Sequence, residues 1–395
     1  TSMTTRELNQ RNRELRATLS YTIPGTPQYK KLQKEIREVS TRMAQLRAET
    51  NATEGAMRRM ASNVNKYIGT TTAAFAAAAM YASGLYKAVQ TYTALDEAMS
   101  DARKTTGMTR EEVEELNASL GKIDTRTAQE ELLGMARVGG KLGIAKQDIE
   151  GFTRAADVIK ISLGKDLGDN VETTIGQIGK LVNVFHINEE FGIEQGMMKT
   201  AAAVNELGKS STANEANIVE FMRRVGGVGY SAKMSLADIA GLGATLDDLG
   251  VTMEVAGTSM SQVITGMFRR TDAFAAAAKM SVADFKKLMS EDMNEALIRM
   301  AEGMGSNGAA MAEIVAALDS LKLDGTRATG VLTTLAKNTD NLRQQQTIAN
   351  QAFEEGTSCL QEFNIMNNTT EATTEKLQKR IAAEAADLGK ALVPA

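Results

Sequence analysis

Two spacings of apolar residues organise the chain. Tyr29, Leu32, Ile36, Val39, Met43 and Leu46 follow one another at alternating intervals of three and four, the heptad seam of a coiled coil. Leu8, Leu15 and Leu19 keep the same register before them, with Asn12 in the missing slot. Between the runs lies Ile23-Pro24-Gly25-Thr26-Pro27, where two prolines and a glycine end one helix and Pro27 suits the first position of the next. Residues 4–50 are therefore predicted to form an antiparallel helical hairpin or one arm of an oligomeric coiled coil. Asn12 either sets its register or is a solvated seam position.

Residues 67–86 carry no charge and include Ala73-Ala74-Phe75-Ala76-Ala77-Ala78-Ala79-Met80. The stretch is long enough to span a bilayer, but Ala and Thr dominate it and large aliphatics are few, so its transfer free energy is marginal. A closely packed helix is expected, continuing through Leu85, Val89, Tyr92 and Leu95 toward Met99. From Thr106 the pattern changes to short helices. Thr109 with Glu112 forms a capping box ahead of Val113, Leu116 and Leu120, and Ser235 with Asp238 and Ser281 with Asp284 give similar starts. The segment Ala232-Lys233-Met234-Ser235-Leu236-Ala237-Asp238 nearly repeats as Ala278-Lys279-Met280-Ser281-Val282-Ala283-Asp284, which two like caps explain more simply than a solenoid. Gly139-Gly140 and Gly226-Gly227 read as helix stops or tight corners. Beyond about residue 341 the pattern returns to long polar helix, in Asn341-Leu342-Arg343-Gln344-Gln345-Gln346 and from Thr374 to Leu392.

Composition sharpens this picture. Hydrophobic residues are 43% and charged residues 24% of 395, enough to build a core. Aromatics are only 4%, Trp is absent, Met reaches 22 and Pro falls to 3, which disfavours a β-sandwich or barrel and suits helices. The recurrent Met residues are expected to fill core gaps. The fold class is all-α: an N-terminal helical hairpin or coiled coil followed by a multi-helix core of short, Gly-punctuated helices. The expected divisions are residues 1–50 for the basic hairpin, 51–105 for a long small-residue-rich helix, 106–340 for the helical core, and 341–395 for long polar helices. Thr1-Ser2-Met3 reads as a cloning remnant before an initiator Met, and Leu392-Val393-Pro394-Ala395 as a cut inside a longer protein.

Charge is uneven. Residues 1–66 hold 13 Lys and Arg against 6 Asp and Glu, a local +7 in a chain whose net charge is −4. Such an arm could meet nucleic acid or an acidic wall, or simply be a solvated coiled-coil face. No aromatics interleave the basic residues, which argues against a single-strand stacking platform and against sequence-specific nucleic-acid binding.

Little chemistry is available. Cys359 and His186 are the only residues of their types, which rules out an intramolecular disulfide and any His-pair metal site. Gly208-Lys209-Ser210 imitates the end of a phosphate loop, but Ala203 stands where the loop needs Gly. Gly241-Leu242-Gly243 has Leu246 in place of a third Gly. His186, in Val182-Asn183-Val184-Phe185-His186-Ile187, reads as a half-buried helix-end residue. Glu111-Glu112-Val113-Glu114-Glu115 suits a first helical turn, and Asp247-Asp248 a helix end before Gly250. No catalytic, cofactor-binding or metal-binding residue is assigned, and no enzymatic activity is expected. The candidate site is the self-association seam of Leu8, Leu15, Leu19, Tyr29, Leu32, Ile36, Val39, Met43 and Leu46.

Two ordered blocks resemble a known family. Ala94-Leu95-Asp96-Glu97-Ala98-Met99 through Thr105-Thr106-Gly107-Met108-Thr109 is similar to the start of the core region of phage tail tape measure proteins. Ser235-Leu236-Ala237-Asp238-Ile239-Ala240-Gly241-Leu242, then Leu249-Gly250-Val251, Ala256-Gly257-Thr258, Ile264 and Phe268, follow that family's order, in which a glycine turn ends one helix and Ala-Gly-Thr opens the next. Leu207-Gly208-Lys209-Ser210-Ser211-Thr212 falls where such proteins carry a polar turn. The resemblance covers roughly residues 90–345 and implies a structural phage or prophage protein that sets tail length as a tape measure in the lumen of the tail tube. It implies as partners the tail tube protein, tail assembly chaperones, tail-tip proteins and further copies of itself in a homo-oligomer. It also implies residence in the host cytoplasm during assembly and transient membrane contact during DNA ejection. A second reading from the residues is a helical pore-forming or membrane-perturbing protein using residues 67–86. A third, weaker one is a cell-wall glycan hydrolase.

Overall fold

Capping chemistry starts the helices where the sequence places it. In the computed structural model, which describes residues 31–32, 34–36, 38–39, 71–168, 171–305, 312–316, 319 and 325–392, every regular element among the described residues is helical. They are α1 (Thr71–Thr106), α2 (Arg110–Gly121), α3 (Gln129–Lys141), α4 (Ile149–Leu163), α5 (Val171–Val184), α6 (Ile187–Ser210), α7 (Glu215–Ser231) and α8 (Leu236–Asp248). There follow α9 (Met253–Arg269), α10 (Thr271–Ala277), α11 (Val282–Glu291), α12 (Met293–Gly305), α13 (Gly325–Ala336), α14 (Thr339–Glu355), α15 (Ser358–Met366) and α16 (Thr370–Leu392). Thr109 and Glu112 close a reciprocal capping box on α2, and the Ser235 and Ser281 hydroxyls accept from the Asp238 and Asp284 amides.

The near-repeat before α8 and α11 is a complete corner. In each, a Lys takes the left-handed conformation, Lys233 at φ 61° and Lys279 at φ 57°. The amide of the following Met then donates back to Gly229 or Ala275 in the helix just ended. Gly143 and Gly250 make the same six-residue closure, with Ile144 donating to Gly139 and Val251 to Leu246. The local resemblance is thus one helix-to-helix turn used repeatedly.

The chain divides into two units, Thr1–Gly84 and Leu85–Ala395. In the first, Leu32 is buried, Ile36 and Val39 are half-buried, and Lys31, Lys34 and Glu38 are exposed. Leu8, Leu15, Leu19, Tyr29, Met43 and Leu46 lie outside the described residues, as does the Pro-Gly-Thr-Pro tip. In the second unit, α7 packs against α5, α8 and α9, while α14 packs against both α6 and α8. Helix α4 joins α3, α6 and α15, and α13 joins α9 and α12. Phe152, Phe221, Phe274 and Phe285 anchor a continuous core that Met197, Met222, Met260, Met267 and Met300 fill, the use expected of the methionines.

Helix α14 buries Leu342, Gln345, Gln346, Ala349 and Ala352 and forms part of the core. Two expectations need correction. The glycine pairs are not stops: Gly139-Gly140 lies within α3 and Gly226-Gly227 within α7. A Cβ on Gly140 would lie 2.6 Å from the Thr105 backbone, so this glycine brings α3 against the end of α1. Ala256-Gly257-Thr258 lies one turn inside α9 rather than opening it, since α9 begins at Met253, and Gly257 accommodates the Arg224 side chain.

One close approach in the core is at Gly241, where a Cβ would stand 2.7 Å from Gln346 Cα. Around it, Gln346 donates to the Asp238 carbonyl at 3.1 Å and exchanges hydrogen bonds with Asn294 at 2.7 and 2.9 Å. Arg343 forks onto Glu295 at 2.7 and 3.1 Å and reaches Glu302 at 2.9 Å, tying α14 to α12. Gly241→Ala is expected to cost about 1–3 kcal/mol through overpacking. Gly227→Ala, on an exposed face with nothing within 4 Å, is expected to add about 0.5–1 kcal/mol. Urea denaturation of both variants checks the pair, and equal effects would contradict the packing.

Candidate functional site

The residues singled out for chemistry fall into structural roles. Gly208-Lys209-Ser210 closes the C-terminal end of α6, the end of a helix that presents carbonyls rather than phosphate-binding amides. Gly241 and Gly243 serve packing, the latter against Phe221. His186 stands between α5 and α6 in the left-handed conformation with φ 56°, its ring 2.6 Å from Glu189 and beside Tyr230. Its side chain is exposed rather than half-buried, because the left-handed corner turns it outward. The Asp247-Asp248 pair caps the turn into α7: Asp247 accepts from the Asn214 amide at 2.7 Å and Asp248 from the Thr212 amide at 3.1 Å. The Thr212 hydrogen bond holds the Asp248 carboxyl below the usual carboxylate range, the opposite of what a general acid needs.

Ser358 comes within 3.3 Å of Lys209, which outwardly resembles a nucleophile and its base. Partial burial lowers the Lys209 pKa, but the carboxylates of Glu362 at 2.5 Å and Glu206 at 3.1 Å outweigh it and keep the ammonium protonated. Ser358 donates to Glu206 and accepts from Asn205 at 2.6 Å. The cluster fastens α15 to α6 and gives Ser358 no free base. Cys359 beside it is buried, and desolvation pushes its thiol up to about 12, so no thiolate forms near neutrality. Among the described residues no group of His, Cys, Asp and Glu could hold a metal ion.

One concave feature was not anticipated. A cavity of about 600 Å³ opens between α16 and the start of α3, with α4 as its floor; Arg126, Thr127, Lys160, Glu375 and Lys379 are among its lining. Its polar edge fastens α16. Arg126 pairs with Glu375 and, at 3.3 Å, with Glu371; Lys376 meets Asp124 at 3.0 Å, and Lys379 donates to the Ile123 carbonyl at 3.2 Å. Asn367 completes the clamp, accepting from the Arg126 amide at 2.9 Å and donating to the Asp124 carbonyl at 2.7 Å.

Behind the cavity wall Asp157 is buried, with one carboxylate oxygen accepting from Thr127 and the other unpartnered. Burial raises its pKa despite the Thr127 and Thr125 hydroxyls and the charges of Lys379 and Lys160. Burial likewise lowers the Lys379 ammonium. The signal for Asp157 was present in the sequence: a helical wheel places it among Thr153, Ala156 and Ile159 on the buried stripe of α4. Arg126 and its acidic partners lie too far apart in sequence, in a loop and a distant helix, for any spacing to pair them.

Residues 114–310 match the family of phage-related minor tail proteins, which supports placing the chain among phage tail proteins. No curated protein and no solved structure matches the chain.

An acid whose folded pKa is raised gives stability that is full below its unfolded value and is lost as pH rises through the folded one. Asp157 therefore costs stability near neutrality. Asp157→Asn, which keeps an oxygen to accept from Thr127, is expected to be more stable than the parent at pH 7. The advantage should shrink as the pH falls into the ordinary carboxylate range. Urea midpoints at several pH values test this, and a difference independent of pH would refute it.

Proposed function

We propose that this protein is a non-enzymatic tape measure, a structural component that sets tail length from within the tail tube lumen. The observation that carries the reading is the match of residues 114–310 to phage-related minor tail proteins. Two further features support it. The described residues form helices throughout, and their polar clusters fasten helices together instead of converging on a reactive group. The ordered Ala94–Thr109 and Ser235–Phe268 blocks narrow the family resemblance from tail protein to tape measure.

The physical basis is that a straight helix advances about 1.5 Å per residue, so residue number encodes distance. Helices α2 to α15 instead fold back on one another, and a folded body of this kind contributes less length than its residue count. In this reading the ruler is supplied by uninterrupted helix, and the folded body packs against tail tube protein, tail-tip proteins or assembly chaperones. The protein is made in the host cytoplasm and enters the virion tail with further copies of itself. The pore-forming alternative gains no support: no helix among the described residues is long and apolar enough to cross a membrane.

In-frame deletions and duplications of long-helix segments in the gene are expected to shorten and lengthen tails by about 1.5 Å per residue. Electron microscopy of purified tails measures this. Tails of unchanged length across such a series would refute the proposal.

A further inference from the structure

Helix α16 is built inside out. Its buried residues are Ala372, Ala386 and Gly389, whereas Leu377, Ile381, Leu388 and Leu392 are 57%, 60%, 49% and 44% exposed. At about 100° per residue the four large side chains fall on one stripe, opposite the small residues that face the body. The inner contact is correspondingly close: a Cβ on Gly389 would stand 2.2 Å from the Ala88 carbonyl oxygen of α1. The helix is thus seated by small side chains and ionic clamps, and among the described residues its apolar stripe is left exposed.

The stripe follows heptad spacing. Leu377, Ile381, Glu384 and Leu388 succeed one another at four, three and four, which makes Glu384 the one charged residue in an apolar seam. Arg380 and Asp387 lie seven apart along a single flank of it, and both are exposed. We infer that α16 pairs with α16 of a second copy as an antiparallel two-helix seam. The arrangement is isologous, with Leu377 facing Leu388 of the second copy, Ile381 facing its Glu384, and Arg380 facing its Asp387.

Charge decides the direction. A parallel pair would put the two Glu384 carboxylates in the same desolvated layer, where like charges repel, and would leave Arg380 and Asp387 without opposite charges across the seam. An antiparallel pair sets each Glu384 against the methyl groups of Ile381 and makes the Arg380–Asp387 contact twice by symmetry. The inference is independent of the tape-measure reading, because it follows from the exposed face of α16 alone. It also differs from association through the N-terminal seam, which substitutions on α16 would leave unaltered.

The test uses the full chain. Sedimentation velocity is measured for the parent, Arg380→Asp, Asp387→Arg and the double swap. Each single swap is expected to weaken association about tenfold, because two favourable pairs become like-charge pairs, and the double swap is expected to restore it. In parallel, Leu377→Cys and Leu388→Cys are oxidised singly and mixed; a cross-linked dimer is expected only from the mixture, with buried Cys359 not participating. A chain that stays monomeric, association indifferent to the swaps, or self-cross-linking of Glu384→Cys would overturn the proposal.

Discussion

Helix α14 carries most of its sequence as polar residues and nevertheless occupies the interior between α6 and α8. That placement is possible only because α8 offers a glycine where the backbones meet, and because each buried amide on α14 has a counterpart waiting. An unpaired buried amide costs on the order of 1–3 kcal/mol, so Gln346 could not be there without Asn294 and the Asp238 carbonyl. The same geometry brings Arg343 between Glu295 and Glu302, so that one helix knits together α8 and α12, which are far apart in the chain. Apolar packing alone would tolerate sliding of α14 along its groove. Directional polar contacts around a glycine cleft fix its register.

This arrangement explains which features could be read from sequence and which could not. Helical content followed from propensity and scarce proline, and the starts of α2, α8 and α11 followed from side chains that cap amides three residues on. These are local effects, complete within a few positions. The glycine pairs misled because a glycine that ends a helix and a glycine that admits a neighbouring helix are indistinguishable without knowing the neighbour. At Gly140 the neighbour is the Thr105 backbone, at Gly226 it is Leu181 and Phe185. Helix α14 misled for a related reason: its polar residues signalled solvent, while their partners lay roughly fifty to a hundred residues earlier. The cavity under α16 was illegible for the same cause, except for Asp157, whose place on an apolar helix face was visible.

The absence of reactive geometry in the polar clusters is itself a consequence of how they are built. Lys209 lies between two carboxylates, Asp248 accepts three hydrogen bonds from Thr212 and Asn341, and Arg126 is shared by Glu371 and Glu375. Each group is held in its ordinary ionised state by the contacts that also fasten helix to helix. Catalytic groups need the reverse, an environment that makes the reactive form cheap to reach. Burial pushes Asp157 and Cys359 toward neutrality, and neither is placed with a partner that could use the shift.

A body whose charges are spent on internal fastening must meet its partners through the surfaces left over. Most of the helices bury their large apolar residues and turn charge outward, so they present little that another protein could grip. Helix α16 does the opposite, and its ionic clamps to the loop before α3 can hold it without consuming its apolar face. Small residues beneath and large residues above separate two requirements that a conventional amphipathic helix would have to satisfy with one stripe. The inward side settles where the helix sits, and the outward side is left free to settle what it meets.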